Sequence, residues 1–216
     1  MKIYFDGCSW CWGAELKDPF NSRYSKIISN KLKAEEYNIS KRGASNNRIV
    51  RQLLVDHKNI NEFDLVIIQL TYPQREEYYD KSSKKFKDCT NWSQVAKYSL
   101  KDLAKVTWCK KSRDKILNNV ELDPVDKAWL DYYRHVYEDE YGDAYEDLHV
   151  TAIRSYCKAQ GVPLILATTK KKKHSKLSYD VYCGDVPRAK DGHPNEEGHL
   201  INAKQILEYG IYENIF

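Results

Sequence analysis

The chain has 216 residues, 42% of them hydrophobic and 31% charged. A chain of this length hides roughly 70% of its unfolded surface on folding, which is ample for one core and short for two ordinary domains. Its 35 Lys and Arg against 31 Asp and Glu leave a net charge of +4, too even a balance to point to nucleic acid or an anionic membrane. No apolar run approaches the roughly 20 residues that span a bilayer, and Asp6 comes too early for a secretory signal. The expected compartment is the cytosol, where the six cysteines at 8, 11, 89, 109, 157 and 183 read as reduced thiols.

Ile3-Tyr4-Phe5, closing at Asp6-Gly7, predicts a first strand that runs into a loop. Residues 19–32 follow as a helix with Tyr24, Ile27, Ile28 and Leu32 on one face, then a weak strand at Tyr37 and Ile39. After a loop at Gly43-Ala44-Ser45-Asn46, a one-sided helix carries Ile49, Val50, Leu53 and Leu54. Leu65-Val66-Ile67-Ile68, with Leu70, is the unbroken apolar run of a strand covered on both faces.

The pattern changes over residues 74–148. This stretch holds Trp92, Trp108 and Trp129 and a run of tyrosines at 132, 133, 137, 141 and 145. It is too long for a bare loop and reads as an insertion of several helices, packed on the main domain by its aromatics. Its acidic end, 138–147, reads as a solvated helix face or turn. A helix from about Tyr145 to Gln160, with Leu148, Ala152 and Tyr156 inward, stops at Gly161. Pro163-Leu164-Ile165-Leu166-Ala167 predicts another buried strand, and the lysines at 170–173 a solvated loop. Asn195 caps a last helix with Leu200, Ile201, Ala203, Ile206 and Leu207. This order implies a three-layer α/β domain with a mostly parallel sheet, whose site lies beyond the carboxyl ends of the strands.

The loops at those ends hold the candidate chemistry. Gly7-Cys8-Ser9-Trp10-Cys11 offers Ser9 as a nucleophile on a strand-to-helix turn, or Cys8 and Cys11 as a dithiol or half of a zinc site. Lys190-Asp191-Gly192-His193-Pro194 offers an imidazole beside an acid that can orient it. His193 near Ser9 would take the hydroxyl proton, while His199 in the first helical turn would serve structure. The N–H of Gly43 and the amide of Asn46 can both donate to a developing oxyanion, although Asn46 as a plain helix cap needs no chemistry.

With these blocks in place, the chain resembles the SGNH/GDSL hydrolase family. Gly7-Cys8-Ser9 sits where that family has Gly-Asp-Ser, Arg42-Gly43-Ala44-Ser45-Asn46 resembles its oxyanion-glycine block, and Asp191-Gly192-His193-Pro194 resembles its Asp/His block. The resemblance implies a flavodoxin-like α/β/α fold in one domain over 1–216, with the insertion at about 74–148. It implies a Ser9-His193-Asp191 triad cleaving an acyl ester, with O-acylated carbohydrate as the substrate class. It calls for no cofactor and no metal, and for neither nucleic acid nor membrane as partner. The Tyr- and Trp-rich insertion resembles that of uncharacterised members carried by tailed phages, which would add a virion to the cytosol as a location.

Three departures stand out. Cys8 replaces the family's Asp. The spacing from Asp191 to His193 is one residue short, which leaves Asp185 as a reserve acid. The block Gln69-Leu70-Thr71-Tyr72-Pro73-Gln74-Arg75 lacks the family's Gly-x-Asn-Asp, so Gln69, Thr71 or Asn46 would have to supply the third oxyanion donor. Losing one such donor typically costs about 10²–10³ in rate. Two rivals remain at this stage: a thiol oxidoreductase using Cys8 and Cys11, and a surface-binding module that keeps the fold without turnover.

Overall fold

The computed structural model describes residues 1–57, 59–105, 110–170 and 179–216. Trp108, Cys109 and three of the lysines at 170–173 lie outside those residues. Strand β1 (Lys2–Asp6) leads through α1 (Ser9–Trp12), α2 (Pro19–Ser22) and α3 (Tyr24–Lys31) to β2 (Glu35–Asn38). Helix α4 (Asn46–Arg51) runs on into a π-helical turn, Gln52–Asp56, and a 3-10 turn, Ile60–Glu62, precedes β3 (Leu65–Leu70). The expected single helix over 19–32 is two, because the chain is extended at Arg23, with φ −70° and ψ 149°.

The insertion opens with an antiparallel hairpin absent from the sequence reading, β4 (Glu77–Asp80) and β5 (Lys85–Asp88). Helices α5 (Thr90–Val95), α6 (Leu100–Leu103), α7 (Lys110–Leu117) and α8 (Pro124–His135) follow. Helix α9 (Asp139–Ala159) returns to the main domain and leads into β6 (Leu164–Thr168). A two-residue strand, β7 (Val181–Tyr182), and helix α10 (Glu196–Tyr212) complete the chain.

The sheet runs β2-β1-β3-β6-β7, every pair parallel. Side chains alternate across it, as the strand period demands. Ile3, Phe5, Leu65, Ile67, Ile165 and Ala167 point to one face, where they meet Tyr24 and Ile28 of α3 and Ala203 and Ile206 of α10. Tyr4, Val66, Ile68, Leu70 and Leu166 point to the other, where they meet Ile49 of α4 and Val150, Ile153 and Cys157 of α9. This is the expected three-layer α/β/α arrangement. Its strand order reverses at β1 and β3, so a crevice opens where their carboxyl ends diverge.

The insertion keeps its own apolar cluster, built from Cys89, Trp92, Val95, Leu103, Leu130, Tyr133 and their neighbours. Its aromatics therefore pack chiefly on one another and not on the sheet, a correction to the sequence reading. Polar contacts join it to the main domain: Lys41 to Asp88 at 2.7 Å and Arg51 to Glu77 at 2.9 Å. The acidic end of the insertion is a solvated face only in part, with Glu138, Asp139 and Glu140 exposed. Asp143 and Glu146 are buried on the same side of α9 as His149, Val150 and Ile153, whereas the expected inward Leu148 is 63% exposed. No helix among the described residues is long and apolar enough to cross a membrane.

At the end of β1, the fully buried Asp6 carboxylate accepts from the Gly7 N–H at 2.7 Å and from Arg48 Nη1 at 2.8 Å. Arg48 also donates to the Ile39 carbonyl at 2.6 Å, so one pair fixes β1, the exit of β2 and α4 together. Burial pushes the Asp6 carboxyl up to about 7 despite Arg48. Removing one partner of a buried ion pair strands the other charge. Arg48→Met is therefore expected to destabilise the fold by about 3–5 kcal/mol. Urea unfolding at about pH 8, above the Asp6 titration, measures the loss, and a change near zero would dismiss this pair as a determinant of the fold.

Candidate functional site

The first loop after β1 must turn at once into α1, and Gly7 makes room for it. A Cβ at Gly7 would stand 2.8 Å from Cys11 Cβ and 3.1 Å from the Gln69 carbonyl oxygen. Ser9 is thereby the first residue of a one-turn helix at the β1–β3 crevice. That helix ends at Gly13, with φ 85°, whose N–H donates to the Ser9 and Trp10 carbonyls. Two residues later Glu15 is itself left-handed, with φ 69°, a conformation unfavourable for a residue with a side chain. Together these turns swing the Glu15 carboxylate back over the site.

The last loop meets it there. Gly192, with φ 88°, closes a tight turn in which the Ala189 N–H donates to the His193 carbonyl at 2.8 Å. The Nε2 of His193 stands 3.0 Å from Ser9 Oγ, and its Nδ1 stands 2.9 Å from Glu15 Oε2. The N–H groups of Asp191 and His193 donate to the same carboxylate at 2.9 and 3.1 Å. Burial pushes the Glu15 carboxyl up, but the Asp191 N–H, the His193 ring and the His193 N–H outweigh it and hold it below the ordinary value. Facing a carboxylate, Nδ1 carries the ring proton and Nε2 is left to accept from the serine hydroxyl.

The structure thus brings Ser9 and His193 together and sets Glu15, not Asp191, against the imidazole. Asp191 contributes its backbone N–H, and the reserve acid Asp185 accepts from the Tyr182 hydroxyl at 3.3 Å instead. The physical reason is the turn at Gly192, which presents the N–H of Asp191 to Glu15. The sequence signal for Glu15 was faint: an acid two residues beyond Gly13, with no fixed spacing to the histidine.

The oxyanion candidates divide. Gly43 has φ 76°, and among the described residues no heavy atom beyond its chain neighbours lies within 4 Å of the position a Cβ would take. Asn46 and Thr71 are bonded to each other: the Thr71 N–H donates to Asn46 Oδ1 at 2.8 Å, and Asn46 Nδ2 donates to the Thr71 carbonyl at 3.3 Å. Asn46 is not the helix cap. Ser45 is, accepting from the Arg48 N–H at 3.1 Å. Gln69 is wholly buried within β3.

Neither thiol is exposed, Cys8 and Cys11 both being buried. Cys8 packs with Trp10 and Val186, whereas Cys11 belongs to the separate core on the sheet face. Both are unpaired, and burial pushes the Cys11 thiol up to about 12, far from a reactive thiolate. Among the described residues no group of His, Cys, Asp and Glu is arranged to hold a metal ion. Beside the ends of β3 and β6, a cavity of about 550 Å³ is lined by Tyr72, Tyr133, Tyr137, Glu138, Asp143 and Lys170. Ser9 and His193 are not part of its lining.

No family model and no curated protein matches this chain. Among solved structures it is similar to the psychrotrophic esterase EstA from a Pseudoalteromonas species, at 12% identity and a TM-score of 0.44, covering 99% of this chain and 98% of that one. It is similar to a lipase from a goat rumen metagenome, at 11% identity and a TM-score of 0.46, covering 97% of each chain. A member of the lipolytic protein G-D-S-L family from Veillonella parvula is also similar, at 14% identity and a TM-score of 0.39, over 96% of this chain and 97% of that one.

His199 lies one turn below the site with a different task. It is fully buried, accepts the Tyr24 N–H on Nδ1 at 3.1 Å and stacks on the Tyr24 ring. Burial lowers its pKa to about 4, and that of His149 likewise. An unfolded histidine protonates near 6.5, so the stability each neutral ring carries is present above about pH 6.5 and is lost as pH falls towards about 4. Asp6 and Glu76, both raised to about 7, act in the opposite sense over the same range, so one variant must be compared with the wild type. His199→Gln is expected to flatten the loss between about pH 6.5 and 4 by up to about 1.4 kcal/mol per pH unit. Urea midpoints measured across that range, if parallel for the two proteins, would refute a neutral His199.

Proposed function

We propose that this protein is a serine ester hydrolase of the SGNH/GDSL type, with Ser9 as nucleophile, His193 as base and Glu15 as the acid that orients it. The observation that carries the reading is the unbroken relay from Ser9 Oγ through His193 to Glu15, at 3.0 and 2.9 Å. His193 Nε2 takes the hydroxyl proton as Ser9 Oγ attacks the ester carbonyl. The N–H groups of Ser9 and Gly43 donate to the oxyanion. The imidazolium, steadied by Glu15, gives its proton to the departing alkoxide and leaves an acyl-serine. Water, deprotonated by the same ring, then adds to the acyl carbon, and Ser9 leaves with the proton as the carboxylic acid is released.

Acylated carbohydrate is the substrate class we assign. The cavity at the same carboxyl edge of the sheet supports it, since tyrosine faces, carboxylates and a lysine suit the stacking and hydrogen bonding of a sugar. Asn46 and Thr71, bonded to each other, keep the crevice wall in shape. The thiol reading has no observation in its favour.

Four variants test the roles. An active-serine phosphonate probe should label the wild type and the Cys8→Ala/Cys11→Ala double variant but not Ser9→Ala. Glu15→Gln should lower kcat for a simple acyl ester by about 10²–10⁴, in line with loss of the orienting acid elsewhere. Asp191→Asn should stay within a few-fold of the wild type, because its contribution is a backbone N–H that the variant keeps. Labelling of Ser9→Ala would end the serine reading, and the reverse order of Glu15→Gln and Asp191→Asn would restore Asp191 as the acid.

A further inference from the structure

A second pocket, of about 390 Å³, lies in the aromatic insertion and is lined by Glu76, Ala128, Trp129 and Tyr132. Trp129 and Tyr132 project from one side of α8, three residues apart. Their rings meet edge to face, with centroids 5.6 Å apart and planes at 88°, so they form two walls of a corner. Tyr133 stacks on Trp129 at 5.9 Å and Tyr78 lies at 5.8 Å from it, which fixes the indole in place. Neither Trp129 nor Tyr132 is fully buried, so both rings keep surface open to a ligand.

The carboxylate of Glu76 supplies the charge. It accepts a hydrogen bond from Asn47 Nδ2. Its neighbour Glu77 is paired with Arg51, whereas Glu76 forms no ion pair among the described residues. Burial first, and the charge of Glu77 after it, push the Glu76 carboxyl up to about 7 against that hydrogen bond. The carboxylate is thus held near aromatic walls at a cost that a counter-ion would relieve.

Aromatic faces attract cations through their quadrupole, and they do so best for a weakly hydrated cation whose methyl groups also gain from apolar contact. A metal ion is poorly matched, because the ring walls offer it no oxygen ligands. A simple ammonium would forfeit its hydration to a pocket with one acceptor. We propose that the corner formed by Glu76, Trp129 and Tyr132 binds a small quaternary ammonium ligand of the choline type. The trimethylammonium head faces the two rings, and Glu76 balances its charge. The proposal does not rest on the chemistry of Ser9.

The experiment is a titration of the full chain with choline and, separately, with its neutral isostere in which carbon replaces nitrogen, each followed by calorimetry. Saturable binding of choline at millimolar concentration is expected, with the isostere at least about tenfold weaker. Glu76→Gln keeps the shape of the pocket and should weaken choline about tenfold while leaving the isostere unchanged. Trp129→Leu should remove choline binding and Trp129→Phe should keep part of it, with an unchanged melt of the Phe variant serving as the folding control. Absence of choline binding to the wild type would overturn the proposal. So would equal affinity for the isostere, or a Glu76→Gln variant that binds choline as the wild type does.

Discussion

The carboxylate of Glu15 accepts three hydrogen bonds from one loop: the N–H groups of Asp191 and His193 and the His193 ring. Those donors lie at the far end of the chain, and no strand pairing brings them to β1. Without Glu15, the loop before α10 would be held by its internal turn, by Val186 packed against Cys8 and Trp10, and by the Arg188 guanidinium, which sits over Trp10 at 5.3 Å and donates to the Gly184 carbonyl. The carboxylate therefore does two jobs with one set of atoms. It docks the histidine loop on the turn that carries Ser9, and it selects the ring tautomer that leaves Nε2 towards Ser9. The left-handed backbone at Glu15 is the local cost of aiming it there.

Much of this was legible in the order of residues. The apolar runs at 3–5, 65–70 and 163–167 mark strands covered on both faces, and all three are strands of the parallel sheet. Ser9 and His193 are legible because the fold puts both on loops at the carboxyl edge, one after a glycine and the other before a capped helix. Glu15 is not, because its position depends on two consecutive left-handed turns, a feature of backbone geometry that residue spacing does not record. The hairpin β4–β5 and the strand β7 escaped for another reason. The first has no buried residue and is largely charged and the second is only two residues long, so neither carries a periodic apolar signal.

Helix α9 shows why apolar periodicity can mislead by one position. Its inward stripe is continuous, but its chemistry changes along the way. Val150, Ile153 and Cys157 face the sheet, whereas Asp143, Glu146 and His149 occupy the same stripe beneath the insertion. There the partners are polar: Lys170 reaches Asp143 at 3.3 Å, and Asn47 meets His149 at 2.8 Å. A search for apolar residues at helical spacing selects Leu148, Ala152 and Tyr156, one step round the helix from the centre of the stripe, so that Leu148 is exposed while Tyr156 packs on the edge of the core. The insertion thus joins the main domain through a polar seam while keeping an apolar core to itself.

The position of that insertion between β3 and β6 also bears on how the chain comes to its fold. Strand β3 can join β1 and β2 early, but its other edge stays open until β6 has been made. The open edge is a row of unpaired backbone groups on a strand that is apolar but for Gln69, the kind of surface that recruits other chains. During synthesis the intervening stretch can gather its own tryptophans and tyrosines through contacts close in sequence, which form faster than distant ones. The loop that carries His193 emerges after every strand of the sheet. A ribosome-bound chain without that segment would hold a nearly complete sheet, and the contact between Ser9 and His193 would form only once the final helix docks.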